Sequence, residues 1–186
     1  MNKDKNYYSL NGLSMISLLP FNQPDFNQLI SWVQDEEMLM QFAGPSFHFP
    51  LTAEQLTLSA AIKNNTAFKL LHIHDQAIIG HAEILLQDAT TALLRRIFIG
   101  DKQYRGQGLC HYIVKELLNI AFNKPGIEEV SLNVFDWNIP AIKCYEKAGF
   151  CINEGKTLSR HVKDQTWLAL NMRLTKKTWQ GLQKSI

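Results

Sequence analysis

Apolar residues along this 186-residue chain change their period several times, and each change marks an element. Residues 14 to 19, SMISLL, read as a short strand that Pro20 closes. Pro24 and Asp25 open a helix with Phe26, Leu29, Ile30 and Val33 on one face. The next stretch is dense in large apolar groups, including Trp32, Met38, Leu39, Met40, Phe42 and Phe47, and suits either core or the wall of a pocket. Gly44-Pro45 interrupts it. Thr52 then caps a second helix running to Asn64, in a Thr-x-x-Gln arrangement like a capping box. Residues 66 to 74 and 77 to 86 form a hairpin turning at Asp75-Gln76, and residues 88 to 91 make another turn.

The unit from 92 to 122 is strand, glycine-bearing loop, helix. Ala92 to Ile99 is an apolar, branched strand; Gly100 to Gln107 is polar, contains Gly106 and is closed by Gly108. From Leu109 the apolar positions Ile113, Leu117 and Ile120 keep helical spacing until Asn123-Lys124-Pro125-Gly126 stops them. A helix N-terminus offers unpaired N–H groups and partial positive charge, which suits a phosphate or pyrophosphate. Lys102 and Arg105 add charge, and glycine permits close approach. Ordinary strand-to-helix turns show the same pattern, and neither a GxGxxG fingerprint nor a P-loop is present.

Residues 129 to 135 form the next strand, parallel to the central one because a helix crosses between them. Asn138 as N-cap, Pro140 in the first turn and Gly149 beyond the end frame a helix over 139–148. Asn138, Ala141 and Tyr145 share a face of it. Residues 151 to 161 and 165 to 174 make a last hairpin around Lys163-Asp164, and Thr175 to Ile186 reads as a short helix with Trp179 and Leu182.

With 46% hydrophobic and 19% charged residues, the chain reads as one globular domain over 1–186. A net charge of +2 points to neither nucleic acid nor an anionic membrane as partner. No apolar run reaches the roughly 20 residues of a membrane-spanning helix. MNKDKNYYSLNG at the N-terminus lacks the apolar centre of a signal peptide, so a cytoplasmic location is expected. Cys110, Cys144 and Cys151 are odd in number and without a CxxC pair, suggesting neither a disulfide framework nor a zinc site. Cys110 and Cys144 read instead as buried thiols within helices. The six histidines show no metal-ligand spacing, so no metal is expected.

Two motifs together carry a family resemblance. Gln103-Tyr104-Arg105-Gly106-Gln107-Gly108 resembles the Q/R-x-x-G-x-G/A loop of the GNAT superfamily of N-acetyltransferases. Asn138-x-x-Ala141-x-x-x-Tyr145-Glu146-Lys147-x-Gly149-Phe150 resembles that family's second motif, at the matching distance along the chain. The similarity spans residues 66 to 174. It implies an α/β (α+β) fold: a mixed, mostly antiparallel sheet of about six to seven strands, splayed at the cofactor site and flanked by about four helices. It also implies acetyl transfer from acetyl-CoA to a primary amine by direct attack in a ternary complex. On that resemblance Ile97, Phe98 and Ile99 would bond the pantetheine arm through their backbones. The N–H groups of Arg105, Gly106, Gln107, Gly108 and Leu109 would cradle the pyrophosphate, with Gln103 filling the Q/R position. Asn138 and Ala141 match positions near the arm's amides and thiol.

Tyr145 is the candidate acid, because a thiol ionises near pKa 8.5 and tyrosine near 10, so a positioned O–H can stabilise or protonate the departing sulfur. Without the motif it reads as a half-buried ring packed on the sheet. Glu83 is the candidate base, sharing a strand face with His81, unless it is paired with Arg95 or Arg96 or faces solvent. The N-terminal part is diffusely similar to ribosomal-protein alanine N-acetyltransferases, which suggests a protein N-terminus as acceptor. Cys144 to Phe150 is phrased like the aminoglycoside 6′-N-acetyltransferases, which keeps small amines, aminoglycosides or polyamines, open. A non-catalytic acyl-CoA-binding module is the alternative of another class. Monomer and homodimer fit equally.

Overall fold

A computed structural model describes residues 14–184; the N-terminal stretch read above for a signal peptide lies outside them. Eight strands form one sheet in the order β1-β2-β3-β4-β5-β8-β6, with β7 paired to β8. They are β1 (Ile16–Pro20), β2 (Asn65–His72), β3 (Ala77–Leu86), β4 (Thr91–Ile99), β5 (Glu129–Phe135), β6 (Cys151–Ile152), β7 (Leu158–Val162) and β8 (Gln165–Thr175). The helices are α1 (Phe26–Trp32), α2 (Glu36–Ala43), α3 (Ala53–Ala60), α4 (Leu109–Phe122), α5 (Ile139–Lys147) and α6 (Lys176–Gln183). Among the described residues only β4 and β5 pair in parallel, as a crossover through α4 requires. The mixed, mostly antiparallel sheet is the expected one, with one strand and two helices more than the upper expectation.

Two apolar clusters hold the layers. Leu109, Ile113 and Leu117 of α4 are fully buried with Leu70, Ile84 and Leu94 of the sheet. Phe26, Leu29, Leu39, Phe42 and Leu56 of α1–α3 form the second cluster, against which Phe98 packs. The Trp32–Phe47 stretch therefore divides: Leu39 and Phe42 are core, while Met38 and Met40 line a cavity.

Local signals explain most boundaries. Thr52 accepts from the Gln55 N–H (3.3 Å), but the Gln55 side chain accepts from His48 N–H (2.8 Å), so the box is not reciprocal. The α3 helix ends at Ala60, four residues before the expected stop. Gly149, at φ +99°, ends the α5 helix as expected. The first arm of the last hairpin splits into β6 and β7 around a turn with Gly155 at φ +80°.

One expectation is corrected. Cys110 and Cys144 are not thiols but a disulfide, with Cα atoms 6.3 Å apart. They lie 34 residues apart on different helices, and only the packing of α4 beside α5 brings them together. Cys151 is free and exposed. Thiol titration of the unfolded protein should thus give one equivalent before reduction and three after. Three equivalents without reductant would remove the bond.

Candidate functional site

The site originates in an irregularity of β4. On its β3 side Glu83 pairs with Arg95 and His81 with Phe98, so Arg96 and Ile97 oppose Ala82 alone: a β-bulge. Arg96 sits at φ +53°. The extra residue resets the alternation, and Leu94 and Ile97, three apart, both reach the α4 cluster. Arg95 and Arg96 turn to the face of α3, where the Arg96 guanidinium stacks 4.1 Å over the Phe47 ring. Beyond the bulge the strands separate. Pairing between β4 and β5 is confined to Thr91–Leu94 and Glu129–Leu132, leaving Arg95–Ile99 without a strand partner on that side.

A cavity of about 870 Å³ fills the gap. It reaches from α2 and the 44–46 turn, past the splayed strands, to the loop before α4 and the inner face of α5. Ile97, Phe98, Ile99, Arg105, Gly106, Gly108, Leu109, Asn138, Ala141 and Tyr145 all line it. Of the expected donor residues, Gln103 and Gln107 do not. The Gln103 amide donates to Asp101 (3.1 Å), and Gln107 donates to the Gln103 carbonyl (2.7 Å), so both brace the loop from outside.

At the loop end, Gly106 (φ +76°) and Gly108 (φ +74°) are left-handed, which favours glycine. A Cβ built on either meets no protein atom within 4 Å. The N–H groups of Gly106, Gln107 and Gly108 bond to nothing among the described residues, whereas the Arg105 N–H donates to Lys102 O (3.2 Å). Arg105 contributes differently: its Nε donates to the Ile99 carbonyl (2.8 Å) and ties the loop to the strand. Free N–H groups, open space and nearby Arg105, Lys143 and Lys147 suit a phosphate-bearing group, so the residues present fit coenzyme A.

Tyr145 lies on the cavity wall, 7% exposed, its ring edge-on to Phe150 at 6.1 Å. Burial pushes its hydroxyl up to about 12. Asn138 Oδ1 accepts from the Ala141 N–H (3.4 Å), fixing the start of α5. Glu83 is 4% exposed and fully engaged. It accepts from Arg95 Nε (2.8 Å), Arg96 Nη1 (2.9 Å), His81 Nε2 (3.1 Å) and Asn65 Nδ2 (3.0 Å). Burial pushes its carboxyl up, but the His81 hydrogen bond and the Arg96 and Arg95 charges outweigh burial and hold it at about 2. Burial keeps His81 below its usual range. Arg160 of β7 also lines the wall and carries no sequence signal, because its strand has no motif.

The acetyltransferase (GNAT) family model matches residues 28–150, most of the chain and all of the cavity lining except Leu158, Arg160 and Ala169 of β7 and β8. The chain belongs to the acetyltransferase (GNAT) family. Similar folds occur in a spermidine N-acetyltransferase from Vibrio cholerae, solved with CoA and spermine. That match has a TM-score of 0.74 and 15% identity over 89% of this chain and 98% of the other. Aminoglycoside acetyltransferase AAC(6')-Ib, solved with coenzyme A and kanamycin, gives 0.68 and 19% identity over 90% and 99%. A kanamycin resistance protein of Rhizobium radiobacter is 40% identical over 45 residues, which span 24% of this chain and 42% of that relative. Among the described residues no helix is long and apolar enough to cross a membrane.

Proposed function

We propose that this GNAT chain is an acetyl-CoA-dependent N-acetyltransferase that passes the acetyl group directly to a primary amine. The observation that carries this is one continuous cavity joining the open glycine loop, the unpaired edge of β4 and Tyr145. The donor supplies an acetyl group activated as a thioester. Gly106, Gln107 and Gly108 hold its pyrophosphate through their N–H groups, and Ile97–Ile99 present backbone groups to its arm. As the amine nitrogen bonds to the carbonyl carbon and the C–S bond breaks, Tyr145 donates its O–H to the sulfur. With tyrosine at about 12 and a thiol near 8.5, that donor stabilises developing thiolate rather than surrendering its proton outright; the proton lost by the amine balances the step through solvent.

Direct transfer is favoured because no free thiol lines the cavity among the described residues: Cys110 and Cys144 are joined and Cys151 lies outside it. Glu83, held at about 2 and shared by two guanidiniums, is a poor base; we assign it to holding Arg95 and Arg96 at the bulge. Spermine and kanamycin accompany the two structural neighbours, and a protein N-terminus is the acceptor that the resemblance puts forward.

Thiol release from acetyl-CoA, followed across an amine panel, tests the reading. Turnover with at least one amine is expected. In the same assay Gly106→Val should raise the acetyl-CoA KM by roughly tenfold or more, since its side chain enters space that the protein leaves empty and its φ costs about 1–2 kcal/mol. No release with any amine overturns the transfer reaction; an unchanged KM in a folded variant overturns the cradle.

A further inference from the structure

Every charged side chain in the cavity wall is a cation: Arg95, Arg96, Arg105, Lys143, Lys147 and Arg160. No aspartate or glutamate lines it among the described residues. Arg105, on the loop, and Lys143 and Lys147, on α5 beside the start of α4, belong to the phosphate end. Arg95, Arg96 and Arg160 do not, because they stand on the bulge and on β7, with α2 and the 44–46 turn. The one carboxylate behind them, Glu83, serves two guanidiniums, so the acceptor end keeps positive charge in excess.

Two of these guanidiniums have donor capacity not used by a carboxylate among the described residues. Arg95 Nη2 is buried without a hydrogen bond. Among the described residues Arg160 pairs with no carboxylate; its Nη1 donates to the Ser159 carbonyl (3.1 Å). None of Asp35, Glu36 and Glu37 lines the cavity, so this acidic run adds no carboxylate to the wall. Asp35 caps α2 by accepting from Met38 N–H (2.7 Å), and Glu37 pairs with Lys163 of the β7–β8 turn (2.6 Å). That ion pair ties α2 to the β7–β8 turn, and neither of its members lines the cavity.

Such a wall repels polycations, since like charges brought together out of bulk water cost several kcal/mol. It also lowers the pKa of a bound amine, because neighbouring positive charge disfavours ammonium. The neutral, attacking form is then favoured without a carboxylate base. What the wall lacks is an anion. We infer that the acceptor is a primary amine carrying a carboxylate, of the amino-acid kind, its carboxylate docked between Arg95 and Arg160 and its nitrogen turned to the splay. This inference rests on the N-acetyltransferase reading.

The test measures binding apart from turnover. Calorimetry on the protein saturated with coenzyme A compares phenylalanine with phenethylamine and leucine with isopentylamine, and adds spermine and kanamycin. Each carboxylate-bearing member should bind roughly tenfold or more tightly than its decarboxylated twin, and more tightly than either polycation, a charged hydrogen bond having that worth. Arg160→Gln, which keeps the hairpin's length and polarity, should bring the twin ratio close to one while its unfolding midpoint stays that of the wild type. Equal binding of the twins, tighter binding of spermine or kanamycin, or an undiminished ratio in a folded Arg160→Gln protein would overturn the inference. Thiol release from acetyl-CoA, assayed separately with the same amines and without added coenzyme A, separates the two claims: a high twin ratio without release refutes the transfer reaction, and release with spermine or kanamycin at the higher kcat/KM refutes the charge class.

Discussion

Replacing Tyr145 with phenylalanine is expected to lower kcat by about 10²–10³-fold while the acetyl-CoA KM stays within about twofold. The substitution removes one hydroxyl and keeps the ring. Packing against Phe150 persists, and no protein hydrogen bond is lost, because burial alone acts on the Tyr145 hydroxyl among the described residues. What disappears is the hydroxyl proposed to stabilise the departing sulfur. Loss of an interaction made only as charge develops shows in kcat, not in donor affinity. The pH behaviour follows from the same burial. The raised hydroxyl, at about 12 against an ordinary 10, contributes stability that is complete below pH 10 and fades as pH rises through 12. Tyr145 is therefore protonated throughout the neutral range, and no downturn in rate below pH 10 should trace to it. Single-turnover acetylation by the variant at the wild-type rate would remove Tyr145 from the chemistry.

The donor half of the site was legible in the sequence because its signals are local. A left-handed glycine before a helix, an N-capping asparagine and a tyrosine one face along the same helix lie within short windows, and all reach the cavity. Gln103 shows the limit: the motif names it, but its side chain turns to Asp101 and does not line the cavity. The disulfide was illegible because it joins two helices through tertiary packing. The acceptor wall was illegible for a similar reason, being assembled from α2, the bulge and β7, three segments far apart in the chain. The bulge did leave a trace. In Ala92-Leu-Leu-Arg-Arg-Ile-Phe-Ile99, the apolar positions that reach one core are 92 and 94, then 97 and 99; the phase slips at the two arginines. A strand read as uniformly buried conceals such a slip.

The second large effect is structural. Glu83→Gln should cost about 3–5 kcal/mol, the usual loss when one member of a buried ion pair is neutralised and its partner stays charged. For a chain of this size that lowers the unfolding midpoint by roughly 10 °C. The reason is arithmetic of charge: one carboxylate, 4% exposed, answers both Arg95 and Arg96. An amide can accept one of those hydrogen bonds but cannot balance either guanidinium, and Arg96, itself 7% exposed, gains little from hydration. The acid limb of the stability curve separates this cause from a simple packing defect. Glu83 is depressed from an ordinary 4.5 to about 2, so its contribution is complete above pH 4.5 and is lost as pH falls toward 2. His81, depressed by burial, adds a loss that begins as pH drops below 6.5. Wild-type midpoints should fall steeply from pH 4.5 downward, and those of Glu83→Gln should fall less, so that the two curves converge in acid. Were Glu83 instead a base in the reaction, the variant would lose turnover at temperatures where it remains folded, with its midpoint nearly unchanged. Parallel acid limbs and a wild-type midpoint would show that the carboxylate does not hold the bulge together.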